Sequence, residues 1–215
     1  MAVIHRTELK PSKLELLTAW LPSRPWYAGG AGAPEPAKAG GFRLDDPEGE
    51  VGIEFIVVTD GSVPEAPAYL VPLTYRGAPL DGAEDALVGT MEHGVLGRRW
   101  AYDGCHDPVM VAQLLALVEG RVQAQDQNVS DTPDPEVGRS YAGDGLAVAE
   151  FTITTDGPES TEVAAPYGGV LRLQRVLRPA AAGTPLLPPD AVGHVAGSWR
   201  TADGGRAQGL FAALY

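Results

Sequence analysis

Residues 87–120 read LVGTMEHGVLGRRWAYDGCHDPVMVAQLLALVEG, and this stretch decides the fold. It holds two strand-like runs, at 86–93 and 98–102, then a turn, then one very apolar helix. Asp107-Pro108 is a strong helix start, with a carboxylate at the N-cap followed by a proline whose missing N–H the first turn does not need. The helix is predicted to run to Glu119, and Gly120 suits the left-handed position just past its end. Between Val109 and Val118 only Gln113 is clearly polar. A helix apolar on nearly all sides is buried on nearly all sides. It is either the core of a curved sheet or part of a subunit interface; a helix gripped by a sheet is a standard two-layer arrangement and is the expectation.

On the N-terminal side, Ser12-Lys13-Leu14-Glu15 reads as a capping box. Leu14, Leu17 and Leu21 share one helical face, and Pro22 stops the run. Residues 26–32, WYAGGAG, lead into a Pro/Ala/Gly loop expected to reach Gly41. Residues 51–59 are a β-rich run with Asp60-Gly61 as its turn, and 68–75 (AYLVPLTY) are the expected antiparallel partner. Pro72 inside that run suggests an edge strand or a bulge, because proline cannot donate to a ladder.

On the C-terminal side, residues 121–136 hold Gln, Asp, Pro and Ser with almost nothing to bury, and read as a linker. Strands are expected at 145–155, 169–177, 191–201 and 208–214. Turns at Asp156-Gly157 and Asp203-Gly204-Gly205 fall where hairpins need them. The acids between Asp126 and Glu162 read as solvated surface. The expectation is therefore an α+β protein. A curved antiparallel sheet around one buried helix occupies about 5–125, and a second, mostly antiparallel β module occupies about 136–215.

Composition narrows the function. The 215 residues carry 16 Lys and Arg against 28 acids, a formal charge of −12. That field repels a phosphate backbone, so a nucleic-acid partner is not expected. The single cysteine, Cys105, allows no intrachain disulfide and no cysteine-based zinc cluster. The N-terminus turns polar too early for a signal peptide, and no apolar run approaches the ~20 residues that span a bilayer. A cytoplasmic location without membrane association is the expectation.

Several motifs, in order over the first half, resemble the N-terminal part of bacterial maltokinases. They are Leu21-Pro22-Ser23-Arg24-Pro25-Trp26-Tyr27-Ala28-Gly29-Gly30, then Tyr69-Leu70-Val71-Pro72-Leu73-Thr74-Tyr75, then the run from Gly97 that ends in Tyr102-Asp103-Gly104-Cys105-His106-Asp107-Pro108. The resemblance implies a cystatin-like cap. The second half, through Tyr167-Gly168-Gly169-Val170-Leu171-Arg172 and His194-Val195-Ala196-Gly197-Ser198-Trp199, is similar to the small lobe of the same kinases. A kinase of this kind needs a lysine on the phosphates, a His-x-Asp…Asn catalytic loop and a metal-holding acid. No lysine follows Lys38; Arg172 stands at the position resembling the kinase lysine, and its planar fork does not replace a compact ammonium. No histidine is followed two residues later by aspartate. Catalytic residues, cofactor and metal are thus all expected to be none.

The candidate ligand or partner contacts are Trp26, Tyr27, Arg98, Arg99, Trp100, Tyr102, Asp103 and His106. Trp26-Tyr27 beside flexible glycines reads equally as an exposed anchor for a partner or as a plug closing the end of the sheet. Arg98-Arg99-Trp100 with Tyr102 could form an anion- or sugar-stacking surface. Plain period-2 alternation, with Trp100 and Tyr102 on one face, is the ordinary strand reading. Asp103, Cys105, His106 and Asp107 make a poor metal or nucleophile set and read as a turn with an N-cap. Three functions follow as expectations: a non-catalytic interaction or regulatory protein of maltose, trehalose or α-glucan metabolism whose partner is a sugar kinase or glucan enzyme; a sugar or sugar-phosphate binding module; or one subunit of a split sugar kinase.

Overall fold

A computed structural model of the chain describes residues 9–30, 32–63, 66–143, 151–166, 168–181, 183 and 186–215. Its elements run β1 (Leu9–Lys10), α1 (Lys13–Trp20), β2 (Pro36–Leu44), β3 (Gly52–Asp60), β4 (Ala68–Arg76), β5 (Leu87–His93) and β6 (Gly97–Asp103). Then come α2 (Pro108–Glu119), β7 (Gly138–Tyr141), β8 (Ile153–Asp156), β9 (Ser160–Ala164), β10 (Val170–Gln174), β11 (Val176–Leu177), β12 (Gly193–Arg200) and β13 (Arg206–Leu214). The protein is α+β with a mostly antiparallel sheet and few helices, as the sequence implies.

Strands from both sides of residues 121–136 share one sheet, in the order β1-β5-β6-β4-β3-β2-β12-β13-β10-β9-β8. β10 and β11 are one strand broken at Arg175. Its first part pairs with β13 and β9, and its second part pairs with β4. The path β4-β3-β2-β12-β13-β10/β11 therefore returns to β4, and the sheet closes on itself.

Inside this closed path α2 buries Met110, Val111, Leu114, Leu115, Leu117 and Val118. Its ends follow from local chemistry. The Asp107 side chain accepts from the Val109 N–H, Pro108 starts the first turn, and Gly120 (φ 79°) lets the chain leave in the left-handed region. Phe42 stacks on Phe55 at 4.4 Å and on Phe211 at 6.1 Å, and Phe211 meets Trp199. This aromatic row joins β3, β2, β13 and β12. From Phe55 to Val58, β3 is apolar on both faces. Phe55 and Val57 face the α2 cluster, while Ile56 and Val58 belong to a second cluster with Leu17, Trp20 and Leu21 of the α1 region. Period-2 alternation with both faces covered gives an unbroken apolar run rather than an alternating one. α1 itself begins with the expected capping box at Ser12 and Glu15.

Three sequence expectations are corrected. The Pro/Ala/Gly stretch to Gly41 is not a loop; from Pro36 it is β2, paired along its length with β3. Weak β-propensity is overridden by cross-strand pairing, and a bulge at Lys38/Gly40 absorbs the irregularity. Pro72 is not on an edge strand, because β4 pairs with β3 on one side and with β11 and β6 on the other. The Leu70 N–H donates to Arg175 O on that second side. Pro72, two residues on, faces the same way, in the gap where β11 has ended and β6 begins pairing at Leu73. Nothing there needs its N–H. Residues 121–136 are not a free linker: Gln125 bridges Arg43, Ala124 is buried, and the Gln127 side chain donates to Phe55 O at 3.0 Å. The expected strand at 145–155 lies partly outside the described residues, and so does Tyr167.

Candidate functional site

The first aromatic pair packs into the apolar cluster shared by α1, β3 and β4. Trp26 is 1% exposed, edge-on to Trp20 at 5.7 Å and tilted against Tyr69 at 5.9 Å. A side chain so enclosed offers no surface to a partner, which corrects its candidacy as a contact. Tyr27 is half-buried against Tyr69, and its hydroxyl donates to Asp60. Asp60 also accepts from the N–H groups of Glu35 and Ser62, both at 2.9 Å. Burial opposes its charge, but the Tyr27 hydroxyl and these amides outweigh it and lower the carboxyl to about 2. The pair thus clamps the turn after β3.

The β6 candidates divide along the strand. Tyr102 is buried; its hydroxyl accepts from the Leu80 N–H at 2.9 Å, and with Trp100 it packs under Leu80, Ala83 and Ala86. Residues 80–86 therefore occupy the face on which a ligand was expected to stack. Arg98 is exposed and pairs with Glu92 across the hairpin at 3.1 Å, while Arg99 donates to Leu96 O. Between them the β5–β6 turn holds up Val95 and Leu96, 62% and 46% exposed. This apolar tip, with the Arg98 guanidinium at its base, lies beside the expected contact residues and is not one of them. Its signal in the sequence is GVLG between two charged strand ends.

The 103–107 turn is built on two buried ion pairs. Asp107 bonds Arg76 in two-pronged fashion, at 2.7 Å each, while capping α2. Asp103, 1% exposed, accepts two bonds from Nη2 of Arg175, at 2.7 and 2.6 Å. Arg175 is fully buried; its Nε donates to Thr161 Oγ1 at 2.7 Å, and its guanidinium lies 5.1 Å from the Trp26 ring. Burial works against the Arg175 charge, but Asp103 beside it prevails and raises its pKa. Cys105, next to this pair, is buried, and burial pushes its thiol well up; the group is no nucleophile. Among the described residues no group of three metal-ligating side chains occurs. His106 is exposed and Asp103 is sealed, so the two do not act together. Arg175 was missed in the sequence although it sits in step with Leu171, Leu173 and Leu177, all buried. A charged residue on the buried parity of a strand was the available signal. Arg172, on the other parity, pairs with Glu162 and lies 4.8 Å from the Tyr215 ring.

A second locus lies where the sheet opens. β12 meets β2 at one register position, Trp199 opposite Gly40, because β7 occupies the other end of the same β12 edge. Residues 126–137 roof the resulting cleft, whose volume is about 620 Å³. Its lining includes Lys38, Arg200, Arg206, Asp126, Asp134 and Glu136, with the buried Trp199 and Phe211 beneath. Arg206 pairs with Glu136, and Lys38 lies 3.7 Å from Glu54. Asp134 is half-buried, and burial together with Asp126 raises its carboxyl, with Arg206 offsetting part of this. Of the acids on this loop, expected as solvated surface, Asp131 and Glu136 are exposed, while Asp126 and Asp134 are half-buried where 121–136 meets β2.

No curated protein matches the chain at a significant level. Residues 20–107, from the end of α1 to the aspartate that caps α2, match the family model of the maltokinase N-terminal cap domain, so the resemblance carried by the three first-half motifs holds over that stretch.

Proposed function

We propose that the protein is a non-catalytic docking or regulatory component of maltose, trehalose or α-glucan metabolism, working in the cytoplasm on a sugar kinase or glucan enzyme. The cap-domain match over residues 20–107 carries the reading. A cystatin-like description of this region, a curved sheet gripping one helix, fits the burial of α2. Two further observations support a role in binding rather than catalysis. Arg172 is held by Glu162 and Tyr215 rather than presented to an open phosphate site. The exposed apolar tip at Val95 and Leu96, beside Arg98, provides a contact that a partner can bury.

The test is a pull-down of the tagged protein from a lysate of its own host, with a V95S/L96S variant alongside. Stoichiometric recovery of a sugar kinase or glucan enzyme, lost with the variant, is the expected result. Recovery of the protein alone would overturn the docking reading, and equal recovery by both forms would remove the tip from it. The split-kinase alternative is separated by assaying the recovered complex for ATP-dependent sugar phosphorylation that neither chain shows alone.

A further inference from the structure

The hydroxyl of Ser23 stands in an arrangement that neither the docking tip nor the cleft uses. α1 ends at Trp20 and runs into a short 3-10 turn, Leu21–Ser23. Pro22 and Pro25 flank Ser23-Arg24, restrict the backbone there, and leave Ser23 exposed. The Arg24 guanidinium folds back onto the serine, and its Nε and Nη2 donate to Ser23 Oγ at 3.2 and 3.0 Å. The same guanidinium lies 4.7 Å from the Trp20 ring, which is 6% exposed. The buried indole braces the fork while its two N–H groups converge on one oxygen.

Among the described residues, only one other serine or threonine hydroxyl accepts from a guanidinium. That is Thr161, which is sealed beside the Arg175–Asp103 pair. Arg175 already has its carboxylate, whereas Arg24 forms no ion pair among the described residues. No other charged residue lies between Glu15 and Glu35, in a chain whose formal charge is −12. Glu15 itself is held by the capping box at Ser12. A guanidinium fork matches the paired oxygens of a carboxylate or a phosphate, and a neutral hydroxyl uses little of it. A phosphate on Ser23 brings three acceptor oxygens and up to about two negative charges to the point the fork already addresses. The C-terminal carbonyls of α1 oppose a negative charge at this end of the helix, and Arg24 is the group placed to offset them.

We infer that Ser23 is a phosphorylation site and that Arg24, braced on Trp20, receives the phosphate. A protein kinase delivers the group from a nucleoside triphosphate. The bond from Ser23 Oγ to the γ-phosphorus forms as the bond from that phosphorus to the bridging oxygen breaks. The nucleoside diphosphate leaves, and the hydroxyl proton passes to the kinase's base. The modification reverses the sign of the charge carried by residues 16–34.

The test uses the whole protein twice. First, the protein and its Ser23→Ala variant are incubated with ATP, Mg²⁺ and a lysate of the protein's own host, and phosphate is located by mass spectrometry. Phosphate on Ser23 is the expected result, with most of the label lost in Ser23→Ala. No phosphate on Ser23, while lysate proteins are phosphorylated in the same tube, would overturn the site. Second, phosphoserine is installed at position 23 during synthesis, beside either Arg24 or Arg24→Gln, and thermal melts confirm that both forms fold. Phosphorus NMR then follows the loss of the second phosphate proton, which ordinarily falls near pH 6. Contact with a guanidinium favours the dianion, so with Arg24 the midpoint is expected about 0.5 pH unit or more below that of Arg24→Gln. Equal midpoints would overturn the role of Arg24. Neither measurement depends on recovering a protein partner, so this inference and the docking reading fail separately.

Discussion

Replacing Asp103 by alanine leaves the Arg175 guanidinium without its contacting carboxylate in a site where it is 0% exposed. Two bonds, of 2.7 and 2.6 Å, are lost, and the charge keeps Thr161, the Trp26 ring and, beyond Thr161, the Asp156 carboxylate. Removing one partner of a buried pair costs about 3–5 kcal/mol, because the other charge stays desolvated and uncompensated. The Cys105 N–H also loses its acceptor, Asp103 Oδ1 at 3.2 Å, which adds ~1 kcal/mol. The expected loss is about 4–6 kcal/mol, read as a lower urea midpoint at unchanged slope. For a chain of this size that corresponds to a melting temperature lower by roughly 8–24 °C. Replacing both partners, Asp103→Leu with Arg175→Met, removes the stranded charge as well and should recover more than half of the loss. The pair is sealed from solvent, so 0.5 M salt should change little. A loss below about 1 kcal/mol for Asp103→Ala, or a double variant as unstable as the sum of the singles, would refute the reasoning that this pair is a desolvated, coupled unit.

Three further outcomes are expected. The Asp60 carboxyl is lowered to about 2 from 3.8, so its stabilisation is fully present above the unfolded value and is lost as pH falls toward 2; urea midpoints between about pH 5 and pH 2 should show about 2 kcal/mol of pH dependence that Asp60→Asn abolishes. At Gly41, φ is +125°, and an added Cβ would stand 1.9 Å from Phe55 O and 2.4 Å from Gln127 Nε2; Gly41→Ala should cost ~3 kcal/mol or more by thermal melt, well above the ~1 kcal/mol of an ordinary strand glycine. Cys105, buried with its thiol pushed up, should resist iodoacetamide at about pH 8 in the native protein and react fully in urea; rapid native labelling would contradict its placement.

The parts of the fold governed by local chemistry were legible. The Ser12 capping box, the Asp107-Pro108 start of α2 and its Gly120 end each follow from a side chain satisfying a backbone group within a few residues. The apolar circumference of α2 implied burial on nearly all sides, and seven of its twelve residues are buried. What stayed hidden depends on residues distant in sequence. β2 is held by β3 rather than by its own Ala and Gly. Pro72 is permitted by a gap between two partners, and Ala124 is buried because Arg43 captures Gln125. The same holds for the sites. Trp26 could be an anchor or a plug until Arg175 and Tyr69 were placed around it. The cleft draws its walls from β2, the 126–137 loop and β12, three segments that no short motif connects.

Closure of the sheet has a consequence for how the protein is made. α2 is complete at Glu119, but β12 and β13, which share its core cluster, start at Gly193 and Arg206. At roughly 5–20 residues per second, translation leaves this helix without those covers for about 4–15 s. During that interval one of the most apolar segments of the chain is a natural client for a ribosome-associated chaperone, and a pause inserted between residues 120 and 190 should lower soluble yield without altering a single contact of the finished protein.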